Sequence, residues 1–320
     1  MKLKKLYTFL NTDLDIIEKA LEETIQSEHP VLKEASMHLL QAGGKRIRPV
    51  FVLLSAKFGN YDIDIVKNAA VALELIHTAS LVHDDVIDNA ELRRGKRTIK
   101  AEWDNRIAMY TGDYIFARSL ELMTRVEKIK AHQVLSKTMV ELCIGEIEQI
   151  KDKYNWDQNI RTYFRRIKRK TALLIATSCQ LGAIAADAPA YIQRILYQYG
   201  YYVGMSFQIT DDILDFTGTE KELGKPAGSD LMQGNITLPV LYALRNPNLR
   251  EEIINTFDLE NEKSINHVIA LVKTSGGIQY SQEVSDHYLQ KAYDIIKELP
   301  NCIEKTALHN IAKYIGKRKS

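Results

Sequence analysis

Residues 73–88 read Leu73-Glu74-Leu75-Ile76-His77-Thr78-Ala79-Ser80-Leu81-Val82-His83-Asp84-Asp85-Val86-Ile87-Asp88. Leu73, Ile76, His77, Leu81, Asp84 and Asp88 recur at helical spacing and share one stripe. The stripe starts apolar and ends in carboxylates. Like charges at i, i+4 cost an isolated helix about 0.2–0.5 kcal/mol per pair. The same element returns at Thr210-Asp211-Asp212-Ile213-Leu214-Asp215, again after an apolar run. A single copy would pass for a solvated acidic helix end. Two copies, each closing an otherwise apolar helix, call for a compensating cation.

The rest of the chain agrees with a helical frame. Its 320 residues hold only 16 glycines and 7 prolines, with no proline between Pro49 and Pro189. A β-rich chain of this length needs more turn residues, and long alternating patterns are absent. The expectation is an all-α protein of about ten or more helices, folded as one domain over 1–320 around one large core. Breaks are expected at Gly43-Gly44, Gly59–Asp62, Asp187–Pro189, Gly224-Lys225-Pro226, Asn246–Asn248 and Leu299–Asn301.

Composition excludes several classes. Apolar residues make up 45% and charged residues 26%, which rules out a disordered chain. Lys plus Arg (43) against Asp plus Glu (41) leaves +2, too little for a typical nucleic-acid binder. Six basic residues crowd into 161–170, but with the net charge of the chain near neutral they read as a solvated face with one inward Lys. Cys143, Cys179 and Cys302 stand far apart and read as thiols in a reducing compartment. The uncharged stretches 171–186 and 195–210 fall short of the ~20 apolar residues a spanning helix needs. Asp13 and Asp15 interrupt any signal-like run, so the expected location is cytoplasmic, peripheral at most to a membrane.

Carboxylates without clustered His or Cys suit Mg²⁺, which completes its shell with water and phosphate. Cations that could hold such a phosphate stand in three places: Gly43-Gly44-Lys45-Arg46-Ile47-Arg48-Pro49, Arg93-Arg94-Gly95-Lys96-Arg97-Thr98 and Lys168-Arg169-Lys170-Thr171. The first is not a Walker loop, yet its glycines let backbone approach an anion and Pro49 suits a helix start. Together these elements suggest a diphosphate held by Mg²⁺ on one side and Lys/Arg on the other.

On these residues the sequence resembles the trans-prenyl diphosphate synthases over nearly its whole length. The segments that carry the likeness are DDVID, DDILD, GGKRIRP, LRRGK and GKPAGSDL. Within that family the likeness is greatest to the catalytic large subunit of two-component bacterial enzymes that make the heptaprenyl chain. The resemblance implies helices around a central apolar cavity. It implies that Asp84, Asp85, Asp88, Asp211 and Asp215 bind Mg²⁺, three ions with substrate present, and that Asp212 and Lys170 join the catalytic set. Arg93, Lys170, Thr171, Gln208 and Lys225 would hold the allylic diphosphate. Lys45, Arg48, His77 and Arg94 would hold isopentenyl diphosphate. Asn235 stands where many relatives carry Lys, which leaves more of the allylic side to Lys225. The allylic C–O bond would ionise, the isopentenyl double bond would attack, and the released pyrophosphate would take the proton. The growing tail would run past the small Ala79 and Ser80 toward Ile76 and Leu73. A smaller non-identical subunit is the implied partner, with a homodimer as the alternative. A terpene cyclase would lack the second Asp-x-x-x-Asp, and a non-catalytic subunit would have lost one or both motifs.

Overall fold

The helix that carries the first acidic motif is continuous over Ile63–Ile87. Asp62 starts it: the Asp64 backbone N–H donates to the Asp62 carboxylate at 2.9 Å, satisfying one orphan donor of the first turn. No Gly or Pro interrupts the next 25 residues. The computed structural model describes residues 7–41, 43–218, 227–258 and 261–318. Helices of eight or more residues are α1 (Asn11–Thr24), α2 (Pro30–Gln41), α3 (Ile47–Ala56), α4 (Ile63–Ile87), α5 (Asn105–Met123), α6 (Ile129–Lys151) and α7 (Ile160–Ile167). They continue as α8 (Leu173–Ala185), α9 (Ala190–Thr217), α10 (Pro247–Thr256), α11 (Glu262–Thr274), α12 (Gly277–Ile296) and α13 (Ile303–Gly316). The all-α expectation holds, and the described breaks fall between these helices, at Asn246-Pro247 on a helix start. The Gly224-Lys225-Pro226 break lies outside the described residues.

Internal packing divides the chain into two units. The first comprises Met1–Ser136, Thr177–Tyr197 and Asn301–Leu308. The second comprises Lys137–Ala176, Gln198–Pro300 and His309–Ser320.

In the first unit α4 is the central rod. It packs most extensively against α5 and then against α3 and α1. Phe51, Leu53 and Leu54 of α3 and Leu73 of α4 are fully buried, worth roughly 1.5–3 kcal/mol each. Among the described residues α4 is also the one helix long and apolar enough to cross a membrane, but its most apolar window is 72% buried within the protein, as a core helix is. After α4 the chain makes a feature the sequence reading did not foresee, a two-stranded antiparallel hairpin pairing Leu92 with Arg97 and Arg93 with Lys96. Arg94 (φ 54°) and Gly95 (φ 77°) form its two-residue turn. Both are left-handed, as the twist of a tight hairpin requires.

In the second unit the core gathers Tyr163, Met205, Ile209, Phe216, Leu238 and Val240, among others. Between α7 and α8 the helix widens into one π turn, Lys168–Ala172. Two glycines make room for it. A Cβ on Gly204 of α9 would lie 2.6 Å from Ala172 Cα, and one on Gly145 of α6 would lie 2.6 Å from Arg169 Cβ. Single π turns occur chiefly where function requires a particular side-chain placement. Here the turn contains Lys170 and Thr171.

Candidate active site

Both acidic motifs lie at the C-terminal ends of long helices. α4 ends at Ile87, with Asp88 as its cap residue, and α9 runs on to Thr217, just past Asp215. The negative end of the helix dipole disfavours carboxylates there by about 0.3–1 kcal/mol each, on top of their mutual repulsion. In both places the dipole and the mutual repulsion are relieved when a cation binds. Among the described residues no group of three or more His, Cys, Asp or Glu converges as a ready-made metal cage. Mg²⁺ needs none, since one or two carboxylates with waters and phosphate oxygens suffice. The donor set therefore fits this ion.

The motif members have different surroundings. Asp85 is 3% exposed, and its Oδ1 accepts from Arg93 Nε at 2.7 Å and lies 2.6 Å from Nη2. Burial pushes its carboxyl up; Arg93 opposes that, and the charges of Asp84 and Asp88 add to it. Asp215 is also buried and accepts from the Ser229 hydroxyl at 2.9 Å and the Asp230 N–H at 3.1 Å. Expected as metal ligands, Asp85 and Asp215 are committed to protein donors. Asp211 Oδ1 lies 2.9 Å from Arg318 Nη1, and the Arg318 guanidinium sits 4.8 Å over the Phe207 ring.

Asp212, expected as catalytic, faces inward. Its two oxygens accept from the buried Tyr163 hydroxyl at 2.6 Å and from Gln208 Nε2 at 2.8 Å. Burial, reinforced by Asp230, pushes its carboxyl up to about 7, while Tyr163, Gln208 and Arg166 hold it partly down. Gln208 Oε1 in turn accepts from the Thr171 hydroxyl at 2.6 Å. The relay fixes which end of the Gln208 amide faces Thr171. Lys170 Nζ lies 3.3 Å from Glu146. Thr171, Gln208 and Asp212 thus come together, with Tyr163 joining them. Lys225 lies outside the described residues.

In the first unit Arg93, Arg94, His77 and Asp85 line one pocket, together with Arg46 and Glu74, which the sequence reading did not select; Lys45 and Arg48 are not among its lining residues. A Cβ at Gly44 would come within 2.9 Å of Arg94 Nη1 and 3.0 Å of Arg46 Nη1, so glycine keeps this loop tight on the guanidinium groups. Arg46 itself adopts a left-handed backbone (φ 47°), which costs a non-glycine residue roughly 1–2 kcal/mol. Arg48 Nε is buried without a hydrogen-bond partner, and burial brings its guanidinium down to about 10. Lys45 is exposed. Glu74 is 4% exposed and charged inside an apolar run, a signal that was visible in the sequence. Of the residues expected along the tail path, Leu73, Ile76 and Ala79 are buried and Ser80 half-buried.

Burial, followed by the charges of Arg48, Arg94, Arg93 and Arg46, holds His77 well below the usual histidine range, so it is neutral. Below about pH 6.5 the unfolded chain takes up a proton here that the folded chain refuses, so stability falls as pH drops. His77→Gln removes that component. Its melting temperature should therefore decline less than the wild type's between about pH 7 and pH 5. Equal declines in thermal melts would show that His77 is not held neutral.

Comparison with known proteins agrees with this geometry. The polyprenyl synthetase family profile matches residues 29–274. Heptaprenyl diphosphate synthase component 2 of Bacillus subtilis (strain 168) is 63% identical over 319 residues, covering 100% of this chain and 92% of the relative. The crystal structure of heptaprenyl diphosphate synthase from Staphylococcus aureus superposes with a TM-score of 0.93 at 45% identity, covering 97% of this chain and 99% of that one. A polyprenyl synthase from Caulobacter crescentus CB15, solved with calcium and isoprenyl diphosphate, superposes with a TM-score of 0.94 at 30% identity, covering 100% and 98%. Carboxylate pairs closing two helices, a cluster of guanidinium groups and a full-length likeness to these enzymes lead to one conclusion: the chain belongs to the polyprenyl synthetase family and is a trans-prenyltransferase.

Proposed function

We propose that this chain condenses isopentenyl diphosphate repeatedly onto an allylic diphosphate such as farnesyl diphosphate, giving a long all-trans product. The product is heptaprenyl diphosphate, destined for a menaquinone side chain. The observation that carries the reading is the placement of both Asp pairs at helix C-termini, where the helix dipole and their mutual repulsion favour binding of a cation. Asp84, Asp88 and Asp211 are the metal ligands, and Asp85 and Asp215 join only by releasing their protein donors. Lys45, Arg48, His77 and Arg94 hold isopentenyl diphosphate. Arg93, Lys170, Thr171, Gln208 and Lys225 hold the allylic substrate. Mg²⁺, three ions with substrate bound, neutralises the charge that develops on the leaving diphosphate. The chain's own part is to aim cations at both diphosphates and to exclude water from the allylic cation. The Thr171–Gln208–Asp212–Tyr163 relay orients the hydroxyl and amide dipoles near the reacting carbon.

The reading includes a smaller, non-identical partner, component 1, with a homodimer as the alternative. Two observations support a partner. The Bacillus subtilis relative is named as a second component. Val140, Ile144 and Ile147 of α6 form an apolar face left 58%, 40% and 67% exposed. The location is cytoplasmic, with the product passed to a membrane. The test is incubation with farnesyl diphosphate, isopentenyl diphosphate and Mg²⁺, with and without the candidate partner, followed by chain-length analysis. A heptaprenyl product only in the presence of the partner is expected. Full long-chain synthesis by the purified chain alone would overturn the heteromer, and no prenyl transfer in either arm would overturn the reading.

A further inference from the structure

Arg46 stands between two residues assigned to substrate, yet its own guanidinium is already committed. Nε donates to Glu18 Oε1 at 2.6 Å, Nη2 donates to Glu18 Oε2 at 3.1 Å, and Nη1 donates to Glu74 Oε1 at 3.2 Å. All three nitrogens face carboxylates, and the side chain is 12% exposed. Glu18 belongs to α1 and Glu74 to α4, so one side chain fastens the loop between α2 and α3 to two other helices. The fork-on-carboxylate pairing to Glu18 fixes direction as well as distance. The left-handed backbone at Arg46 persists because this clamp overdetermines it. Glu74 also acts electrostatically on Arg48 and Arg94. With Arg46 gone, Glu74 would lose the guanidinium that donates to it, leaving Arg48 and Arg94 as the cations that face it.

We propose that Arg46, clamped between Glu18 and Glu74, is a positioning residue that sets Lys45, Arg48 and Arg94 for the diphosphate of isopentenyl diphosphate. The inference rests on the substrate assignment above and adds to it a clamp, Glu18–Arg46–Glu74, that acts through the substrate-binding cations. It separates the cations by task. Lys45 is exposed and Arg48 Nε has no hydrogen-bond partner, so these can meet an anion, whereas Arg46 turns its charge inward.

The test measures KM for isopentenyl diphosphate and for the allylic primer separately in the complete enzyme, for Arg46→Gln, Arg46→Lys, Glu18→Gln and the control Lys45→Ala. Arg46→Gln should raise KM for isopentenyl diphosphate by about tenfold or more, the scale expected of misplaced binding groups, with KM for the primer unchanged. Arg46→Lys should not restore it, because an ammonium cannot span both Glu18 oxygens. Glu18 is 45% exposed, so Glu18→Gln tests the clamp without emptying a buried site and should shift the same constant less. Unchanged KM for isopentenyl diphosphate in both Arg46→Gln and Glu18→Gln would overturn the proposal, as would equal shifts for both substrates or full rescue by Lys. Should Lys45→Ala also leave that KM unchanged, the substrate assignment itself falls. If only the Arg46 and Glu18 variants are silent, the positioning role alone falls.

Discussion

Asp84→Ala and Asp211→Ala are each expected to lower the rate of prenyl transfer by about 10²–10³-fold, the scale at which removal of one preorganised electrostatic group acts in other enzymes. The fold should not suffer in step. Asp84 stands in the last turn of α4, where its charge opposes both the helix dipole and Asp88, so the alanine variant should keep its helicity. Asp211 differs because Arg318 lies beside it. Its removal deletes an ion pair to a guanidinium that is only 10% exposed and should lower the melting temperature modestly. The pair of variants thus separates chemistry from folding: both lose turnover by orders of magnitude, while both keep their helicity. Turnover and circular dichroism melts at saturating Mg²⁺ check both statements. Near-normal turnover in either variant would remove that carboxylate from the metal assignment.

Ser80→Phe is expected to shorten the product to farnesyl or geranylgeranyl size without abolishing turnover of a short primer. Ser80 lies one helical turn, about 5–6 Å, before Asp84 on α4. Its hydroxyl is occupied locally, donating to the His77 carbonyl at 2.8 Å, so an aromatic ring there disturbs no long-range bond. Ala79→Tyr should shorten the product too, but Ala79 is 1% exposed, and a ring forced into that packing costs about 1–3 kcal/mol. Ser80→Phe is therefore the cleaner measurement. Chromatography of the dephosphorylated products decides it. An active variant with an unchanged length distribution would show that the tail does not run along this side of α4.

What could be read in advance depended on sequence distance. The two Asp pairs, His77 and Gln208 were legible because helical periodicity is local and places them on single faces before any tertiary contact is known. The roles inside each pair were not. Asp85 is set apart from Asp84 by Arg93, and Asp215 by Ser229, partners that only the fold brings near. The hairpin went unread because Arg94, not Asn or Gly, takes the first left-handed turn position. The clamp on Arg46 spans 28 residues in each direction, to Glu18 and to Glu74, and no local pattern announces it. Glu74 alone could have been caught, as a charge with no evident reason to sit in Leu73–Ile76.

The π turn at Lys168–Ala172 bears on how such a site is copied or transplanted. A wide turn amounts to one residue inserted into an otherwise regular helix. Deleting any one residue of the five restores regularity but rotates everything on one side by about 100° relative to the other. Lys170 and Thr171 could then no longer keep their bearings toward Glu146 and Gln208 while Tyr163 keeps its bearing toward Asp212. An alignment that treats this stretch as gap-tolerant would misplace the site by one phase of the helix. A designer grafting it would need three separate pieces in register, the five-residue turn and the two glycines, Gly145 and Gly204, against which its backbone rests.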